Sequence, residues 1–222
     1  MQKEIVDIPS RKSNHQRWVI ITCILSGLVL LFLCISLVHY FVPSFDKNAR
    51  LWLIRVLPYF NRDFLWMVSS FGKEIFVLPA TMAIVAWWLI RRKWDQAIGL
   101  SFCVILGAGL IFGTKVLFSI QNNVHLLQDI SSLDLGYPSG HAALATLFYG
   151  YFAFIACGKE KNRFWISLTK IIGVLIPFII GMTRLILMVH YTTDVLGGWV
   201  IGAFWLYITD IVLSRVPLGK QK

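Results

Sequence analysis

The chain has 222 residues, of which 57% are hydrophobic and 14% are charged, and its formal net charge at pH 7 is +10. So much apolar and so little charged sequence is unusual for a soluble domain of this length and favours a single domain embedded in a membrane. The basic residues form separate clusters rather than one continuous patch, which argues against a nucleic-acid-binding protein.

Six apolar segments approach the roughly 20 residues that a helix needs to cross a bilayer. They are residues 18–42, 75–90, 96–118, 141–157, 164–189 and 195–213. The first is too long for a signal-peptide core and lacks a small-residue cleavage site, and the short second and fourth should extend into flanking residues. We therefore predict an all-α protein, a six-span transmembrane helical bundle over 18–213, with an N-terminal segment 1–17 and a tail 214–222.

The positions of Lys and Arg predict the orientation of these spans, because basic residues favour the cytoplasmic side. They cluster in residues 1–17, 91–93, 159–163 and 214–222, whereas residues 119–140 contain none. These places alternate correctly for a multi-pass protein of the plasma membrane. Both termini should be cytoplasmic, and the 119–140 loop should lie outside.

The segment 43–74 departs from this rule, because it should lie outside and yet contains five basic residues. These are Lys47, Arg50, Arg55, Arg62 and Lys73. Apolar residues recur in it at helical spacing, namely Phe45, Ala49, Trp52, Val56 and Phe60, with Asp46, Lys47 and Arg50 off that stripe. The pattern predicts a helix lying in the outer interface, and an ordinary polar connector is the alternative. Pro58 would kink or shorten such a helix.

Two pairs of glycines with four-residue spacing lie inside predicted spans. Gly109 pairs with Gly113, and Gly198 pairs with Gly202. Small residues at this spacing usually let helices pack closely in a bilayer. We therefore expect both pairs to lie at contacts between helices.

Three groups of polar residues lie at the outer ends of predicted spans, where such residues are costly and therefore informative. They are Lys115, then Ser139 with Gly140 and His141, then Arg184 with His190 and Asp194. Each has a structural explanation on its own: a lysine that reaches the interface, a turn and helix cap, an anchoring arginine, a satisfied buried histidine. Their common location on one side is what favours a shared chemical role.

Phosphoryl transfer is the chemistry that suits these residue types. His190 and Asp194 are four apart, so on a helix they share a face, and the carboxylate can hold one ring nitrogen protonated while the other acts as a nucleophile. His141 could protonate a leaving alkoxide. The same site offers several groups that bind anions: the backbone N–H groups of Ser139 and Gly140 before a helix, and the cations Lys115 and Arg184. No further Asp, Glu or His cluster has metal-ligand spacing, so we expect neither a metal nor another cofactor.

The same positions resemble two motifs of the type 2 phosphatidic acid phosphatase family, the membrane lipid phosphate phosphatases. The run Pro-Ser-Gly-His at 138–141 matches one motif in full. The motif Ser-Arg-x5-His-x3-Asp is matched by Thr183 and Arg184, followed at the same spacing by His190 and Asp194. The threonine retains the hydroxyl of the serine it replaces.

The family's remaining motif, Lys-x6-Arg-Pro, is matched only in part. Lys115 supplies its lysine, but Asn122 and Asn123 stand where Arg-Pro is expected. An Asn side chain donates only neutral hydrogen bonds, whereas Arg donates two parallel charge-assisted ones to a phosphate. We therefore expect weaker phosphate binding, which Lys73 or Arg62 could offset.

The resemblance implies a role for each matched residue. His190 would attack phosphorus and form a phosphohistidine, Asp194 would orient and polarise it, and His141 would protonate the leaving oxygen. The phosphate would be held by Lys115, Ser139, Gly140 and Arg184, with Asn122 as a further candidate.

The resemblance also implies the reaction class and the substrates. The expected protein is an integral membrane lipid phosphatase acting at the outer face on phosphatidic acid, phosphatidylglycerol phosphate or a polyprenyl diphosphate. Its expected partners are this lipid phosphate and the membrane lipids. One alternative is a lipid phosphotransferase, in which an alcohol captures the phosphohistidine. The other is a catalytically silent lipid-binding membrane protein, against which the intact His190, Asp194 and His141 argue.

Overall fold

The computed structural model describes residues 11–56, 60–121, 136–155 and 162–215, and all regular structure within them is helical. Two π-helical turns, Phe102–Leu106 and Tyr151–Ile155, continue the helices that precede them. The α-helices are α1 (Arg11–Phe41), α2 (Pro43–Val56), α3 (Arg62–Ser70), α4 (Glu74–Ile90), α5 (Trp94–Ser101), α6 (Gly107–Gln121), α7 (Gly140–Gly150), α8 (Arg163–Ile186) and α9 (Thr192–Arg215). The all-α prediction is confirmed for this part of the chain.

Five helical stretches among the described residues are long and apolar enough to cross a membrane. They are Ile20–Phe41, Arg62–Ile90, Trp94–Phe118, Arg163–Ile186 and Thr192–Arg215. The second is longer than the sequence predicts, because α3 precedes α4 within the segment 43–74, for which the sequence predicts an interfacial helix or, alternatively, a polar connector. A sixth apolar helix, Gly140–Ile155, is shorter. These helices support an integral membrane protein, while the count of six spans stays a prediction.

Helix α7 forms the centre of the bundle, and it makes its most extensive contacts with α8 and α9. Its small residues allow this: Ala142, Ala143 and Ala145 are fully buried. On α9, a Cβ at Gly198 would lie 2.5 Å from the carbonyl oxygen of Ser139, which real side chains do not tolerate. Close backbone contact therefore joins the N-terminal ends of α7 and α9, as expected for small residues in a membrane bundle.

Helix α2 confirms that a helix follows the first span. Its predicted apolar stripe is largely exposed, with Trp52 62% and Phe45 45% accessible. Its opposite face packs on the protein, where Asp46 and Leu53 are buried. An exposed apolar stripe suits a helix that contacts lipid, but its location in the interface stays a prediction. Pro58 lies outside the described residues.

Candidate active site

The predicted site residues lie at one end of the bundle, where α6 and α8 end and α7 and α9 begin. Six of them are buried, each with 9% or less of its surface accessible: Lys115, Ser139, His141, Arg184, His190 and Asp194. Gly140 is half-buried. Asn122 and Asn123 lie outside the described residues, so the expectation of a weakened phosphate site stays a prediction.

His190 and Asp194 are in direct contact, although not in the way their spacing suggests. Nδ1 of His190 lies 3.1 Å from Oδ2 of Asp194, and the backbone N–H of Tyr191 donates to the same oxygen over 2.9 Å. His190 lies in the turn before α9, whereas Asp194 lies in the first turn of that helix. The expected shared helix face is therefore wrong. The carboxylate reaches back across the helix N-terminus, where unpaired N–H groups attract negative charge.

This contact determines which nitrogen of His190 can react. Because Asp194 accepts the proton on Nδ1, the neutral ring has its lone pair on Nε2. Nε2 is buried and has no hydrogen-bond partner among the described residues. Burial lowers the pKa of His190 below its usual range, and Arg184 and Lys115 act in the same direction, although Asp194 opposes them. The imidazole is therefore neutral, and nucleophilic, near neutral pH.

The N-terminus of α7 differs in one respect from the anion site that the sequence predicts. The backbone N–H of Ser139 donates to the carbonyl oxygen of Asp194 over 2.9 Å, so it is already occupied. The Ser139 hydroxyl, in contrast, is buried and has no partner among the described residues. A phosphate oxygen could accept from this hydroxyl. Lys115 lies alongside, since a Cβ at Gly140 would be 3.5 Å from Cε of Lys115.

Arg184 is the most deeply buried cation of the site, with 1% of its surface accessible. Its Nη1 donates to the Ser69 hydroxyl over 3.1 Å, and its guanidinium carbon lies 5.5 Å from the ring centroid of Trp66. Both partners belong to α3. The hydroxyl of the neighbouring Thr183 donates to the carbonyl oxygen of Ile180 within α8, so its hydrogen is not available to a phosphate. A buried guanidinium at this position could donate charge-assisted hydrogen bonds to a phosphate.

Four charged or titratable groups act electrostatically on His141, namely Arg184, His190, Lys73 and Lys115. Lys73 lies nearby because Gly72 packs on the backbone of His141: a Cβ at Gly72 would approach the His141 carbonyl oxygen to 2.9 Å. Lys73 is one of the two cations suggested as compensation for the missing motif arginine. That role stays a prediction.

A polar layer that the sequence does not predict lies behind Asp194. It consists of His39 from α1, Asp46 from α2 and Thr193 from α9, which contact one another and approach the free oxygen of the Asp194 carboxylate. The sequence does contain a sign of this layer: the titratable residue His39 lies near the outer end of the first span, and Asp46 follows seven positions later. Ser69 and Trp66 were not predicted, because the predicted interfacial stripe ends at Phe60 and the sequence assigns no helix to the residues between it and the second span.

The chain resembles known proteins both in sequence and in fold. Residues 118–216 match the family model of the PAP2 superfamily. The chain is 28% identical over 174 residues to phosphatidylglycerophosphatase B of Bacillus subtilis, covering 74% of this chain and 81% of that protein. It is 24% identical over 157 residues to an undecaprenyl-diphosphatase of Sulfolobus acidocaldarius, covering 69% and 71% respectively.

A solved structure extends the resemblance to the fold. The crystal structure of a transmembrane PAP2 type phosphatidylglycerolphosphate phosphatase from Bacillus subtilis superposes with a TM-score of 0.70 at 22% identity. The match covers 89% of this chain and 98% of that one. Together these findings confirm the resemblance to the type 2 phosphatidic acid phosphatases that the motifs indicated.

Proposed function

We propose that this protein belongs to the PAP2 superfamily and is an integral membrane lipid phosphatase that works through a phosphohistidine. The observation that carries the proposal is the buried, unpartnered Nε2 of His190, whose ring is oriented by Asp194 and is influenced electrostatically by Arg184 and Lys115. Substrates of the phosphatidic acid, phosphatidylglycerol phosphate or polyprenyl diphosphate class fit this site. The proposed location is the outer face of the plasma membrane, with both termini in the cytoplasm.

The proposed reaction has two displacement steps at phosphorus. In the first, Nε2 of His190 attacks phosphorus, the bond to the lipid oxygen breaks, and His141 gives that oxygen a proton. Asp194 stabilises the positive charge that develops on the imidazole ring. In the second step His141 takes a proton from water, the water oxygen attacks phosphorus, and orthophosphate leaves with His190 restored.

The cations act on the phosphoryl group throughout both steps. Arg184 and Lys115 neutralise oxygens whose charge is redistributed in the transition state, which is the main source of rate enhancement in phosphoryl transfer. Within the described residues, no group of three or more His, Cys, Asp and Glu side chains could hold a metal ion. The proposed chemistry uses these cations in the place that metal ions take in other phosphoryl-transfer enzymes.

A test of this function is phosphate release by the purified protein from a panel of lipid monophosphates and diphosphates in detergent. We expect release from at least one class, and we expect the rate to be unchanged by EDTA because the two cations are part of the chain. Loss of activity on chelation that Mg²⁺ restores would contradict the mechanism. Phosphate recovered on an added alcohol, rather than in solution, would instead indicate a phosphotransferase.

An apolar groove next to Arg184 supports a lipid substrate. It lies between α3 and α8, has a volume of ≈ 650 Å³, and is lined by apolar side chains together with Thr183 and Tyr149. Both of these hydroxyls donate to main-chain carbonyls, so the surface presented is apolar. Thr183 precedes Arg184 directly along α8. We propose that a hydrocarbon chain of the substrate lies here while its phosphate meets Arg184.

Filling the groove should affect long-chain substrates selectively. Ile179 lines the groove, whereas Ile172, seven residues earlier on α8, does not. The two side chains are similarly exposed, Ile179 at 41% and Ile172 at 44%. The hydrocarbon chain of the substrate enters the groove from lipid rather than from water, so little hydrophobic free energy is gained. The groove would instead position the substrate relative to Arg184. Misplacement can cost up to about 100-fold in rate.

We therefore expect Ile179→Trp to lower kcat/KM about tenfold on a long-chain lipid phosphate, within that range of misplacement effects. A short-chain, water-soluble phosphate ester should be hydrolysed at the parent rate, and Ile172→Trp should match the parent on both substrates. Equal effects of Ile179→Trp on the two substrates would show that the groove does not hold the chain.

A further inference from the structure

The two oxygens of the Asp194 carboxylate face different groups. One faces His190, and the other faces the polar layer formed by His39, Asp46 and Thr193. Oδ2 contacts His190 and the N–H of Tyr191, as described above. Oδ1 is buried and accepts no hydrogen bond of standard geometry within the described chain. On that side, Nδ1 of His39 lies 3.5 Å from Oδ1. A group that holds Oδ1 in place also holds the orientation of the whole Asp194 carboxylate.

Asp46 of α2 binds the N-terminus of α9 next to Asp194. Its Oδ1 accepts the backbone N–H of Thr193 over 3.0 Å, and its Oδ2 accepts the Thr193 hydroxyl. Asp46 is 5% and Thr193 is 1% exposed. The Asp46 carboxylate of α2 thus caps the N-terminus of α9, as an N-cap side chain within the same helix would. Burial alone would raise the pKa of Asp46, but the nearby His39 imidazole and the hydrogen bonds from Thr193 outweigh it and hold the pKa below its ordinary value.

The hydrogen bonds around Thr193 assign the proton of His39. The Thr193 hydroxyl has one hydrogen, which Asp46 accepts, so its oxygen must accept from Nδ1 of His39 at 2.8 Å. That N–H therefore lies among three oxygens, with Asp194 Oδ1 at 3.5 Å and Asp46 Oδ2 at 3.8 Å. A donor at this place favours the ionised form of the Asp46 carboxylate.

The ring of His39 is itself held in orientation. The Tyr137 ring stacks on it with centroids 4.8 Å apart and an interplanar angle of 29°. The Tyr137 hydroxyl shares a hydrogen bond of 2.9 Å with the hydroxyl of Ser36, one turn earlier on α1. Aromatic stacking and this bond restrict rotation of the imidazole. The donor is therefore aimed at the Thr193 and Asp194 oxygens before any substrate binds.

Helix α2 also touches the chain on the other side of His190. Arg50, one turn after Asp46, donates through Nη2 to the carbonyl oxygen of Met188 over 3.5 Å. Leu53 is buried in a cluster with Leu185 and Val195. The same helix thus contacts residues both before and after His190. It is placed to hold the turn that carries the proposed nucleophile.

We propose that His39 and Asp46 are positioning residues, which fix the Asp194 carboxylate and through it the ring of His190. This inference rests on the proposed phosphohistidine mechanism. Neither residue touches the phosphoryl group, so both act on the chemical step rather than on substrate binding. Without them, Asp194 would be free to turn away from Nδ1 of His190, and Nε2 would lose its alignment with phosphorus.

The test compares three variants of the full-length protein in detergent. Asp46→Asn removes the charge and one acceptor while keeping the side-chain shape, and His39→Leu removes the donor. His39→Asn keeps an N–H donor near the position of Nδ1. Asp210→Asn is the matched control, because Asp210 is an exposed carboxylate far along α9 from the site. The substrate is whichever lipid phosphate the parent hydrolyses.

We expect Asp46→Asn and His39→Leu to lower kcat by roughly 10- to 100-fold, the usual effect of losing a group that orients a catalytic ligand. The KM and the inhibition constant of orthophosphate should stay within about twofold of the parent, since the cations remain in place. His39→Asn should recover most of the lost kcat, and Asp210→Asn should equal the parent. A purely structural role would not separate kcat from phosphate affinity in this way.

Several outcomes would overturn the inference. Parent-like kcat in both Asp46→Asn and His39→Leu would do so, as would a loss confined to KM, or a His39→Asn protein as impaired as His39→Leu. If His39→Leu does not fold, Asp46→Asn and His39→Asn decide the question. An active His190→Ala protein would instead refute the proposed function, so the two failures are distinguishable.

Discussion

Replacing His190 with alanine should abolish turnover, with kcat lower by roughly 10⁴- to 10⁶-fold, the range seen when a covalent nucleophile is removed. Oδ2 of Asp194 would then contact no imidazole, and the unpartnered Nε2 of His190 would be lost. Water would have to attack phosphorus directly. The cations would remain, which accounts for any residual rate.

Trapping the intermediate distinguishes a lost nucleophile from a damaged fold. Brief reaction of the parent with labelled substrate should leave phosphate on the protein that is stable to base and labile to acid, as expected for phosphohistidine. His190→Ala should carry no label while keeping the parent's thermal unfolding midpoint and its affinity for orthophosphate. Label on His190→Ala, or turnover close to that of the parent, would rule out His190 as the nucleophile.

The part of the site that the sequence predicts lies within short stretches of chain. His190 and Asp194, like Ser139 and His141, are a few residues apart, and their relation depends on a local turn and a helix start. Even so, the four-residue spacing of His190 and Asp194 predicts one helix face, whereas in the structure His190 lies in a turn and Asp194 in the helix that follows. A spacing constrains which residues can meet, but several backbone conformations satisfy the same spacing.

The contacts that the sequence does not predict are those between distant segments. Ser69 meets Arg184 across 115 positions, and Asp46 meets Thr193 across 147. Ser69 and Asp46 on their own are ordinary polar residues of the segment 43–74, and nothing near them in the sequence indicates their partners. Only the packing of α2 and α3 against α8 and α9 makes them part of the site, and hydrophobic periodicity does not specify that packing.

The two glycine pairs illustrate the same limit. Gly198 and Gly202 face the backbone of α7, where a Cβ would lie 2.5 Å and 3.0 Å from carbonyl oxygens. Gly109 and Gly113 have no atom of the described chain within 4 Å of such a Cβ, so the prediction of close packing is wrong for this pair. The spacing shows that a close approach is possible. The neighbouring helix decides whether it occurs.

His141→Ala should produce a loss that depends on the leaving group, which is the specific property of a general acid. A lipid alkoxide is a strong base and leaves slowly without a proton. A phosphate monoester, released from a diphosphate substrate, is a better leaving group, and nitrophenolate needs no proton at all. His141 lies buried in the first turn of α7, among the electrostatic influences of Arg184, His190 and Lys115.

We therefore expect the rate of the first step in His141→Ala to fall by about 10²- to 10⁴-fold on a lipid monophosphate, the usual contribution of acid catalysis. The fall should be smaller on a diphosphate and smallest on nitrophenyl phosphate. Single-turnover release of the leaving group measures this step directly. With nitrophenyl phosphate the second step, which also uses His141, becomes limiting, so labelled phosphohistidine should accumulate in the variant.

Lys115→Met provides the matched comparison, because the proposed partners of Lys115 are the phosphoryl oxygens that all three substrates share. Its loss should lower the rate of the first step by a similar factor on each substrate, about 10- to 100-fold if one charged hydrogen bond of about 1.5–3 kcal/mol is lost. The two variants should therefore give different slopes when their effects are plotted against leaving-group basicity. A flat dependence for His141→Ala, parallel to that of Lys115→Met, would assign His141 to phosphate binding instead of proton transfer.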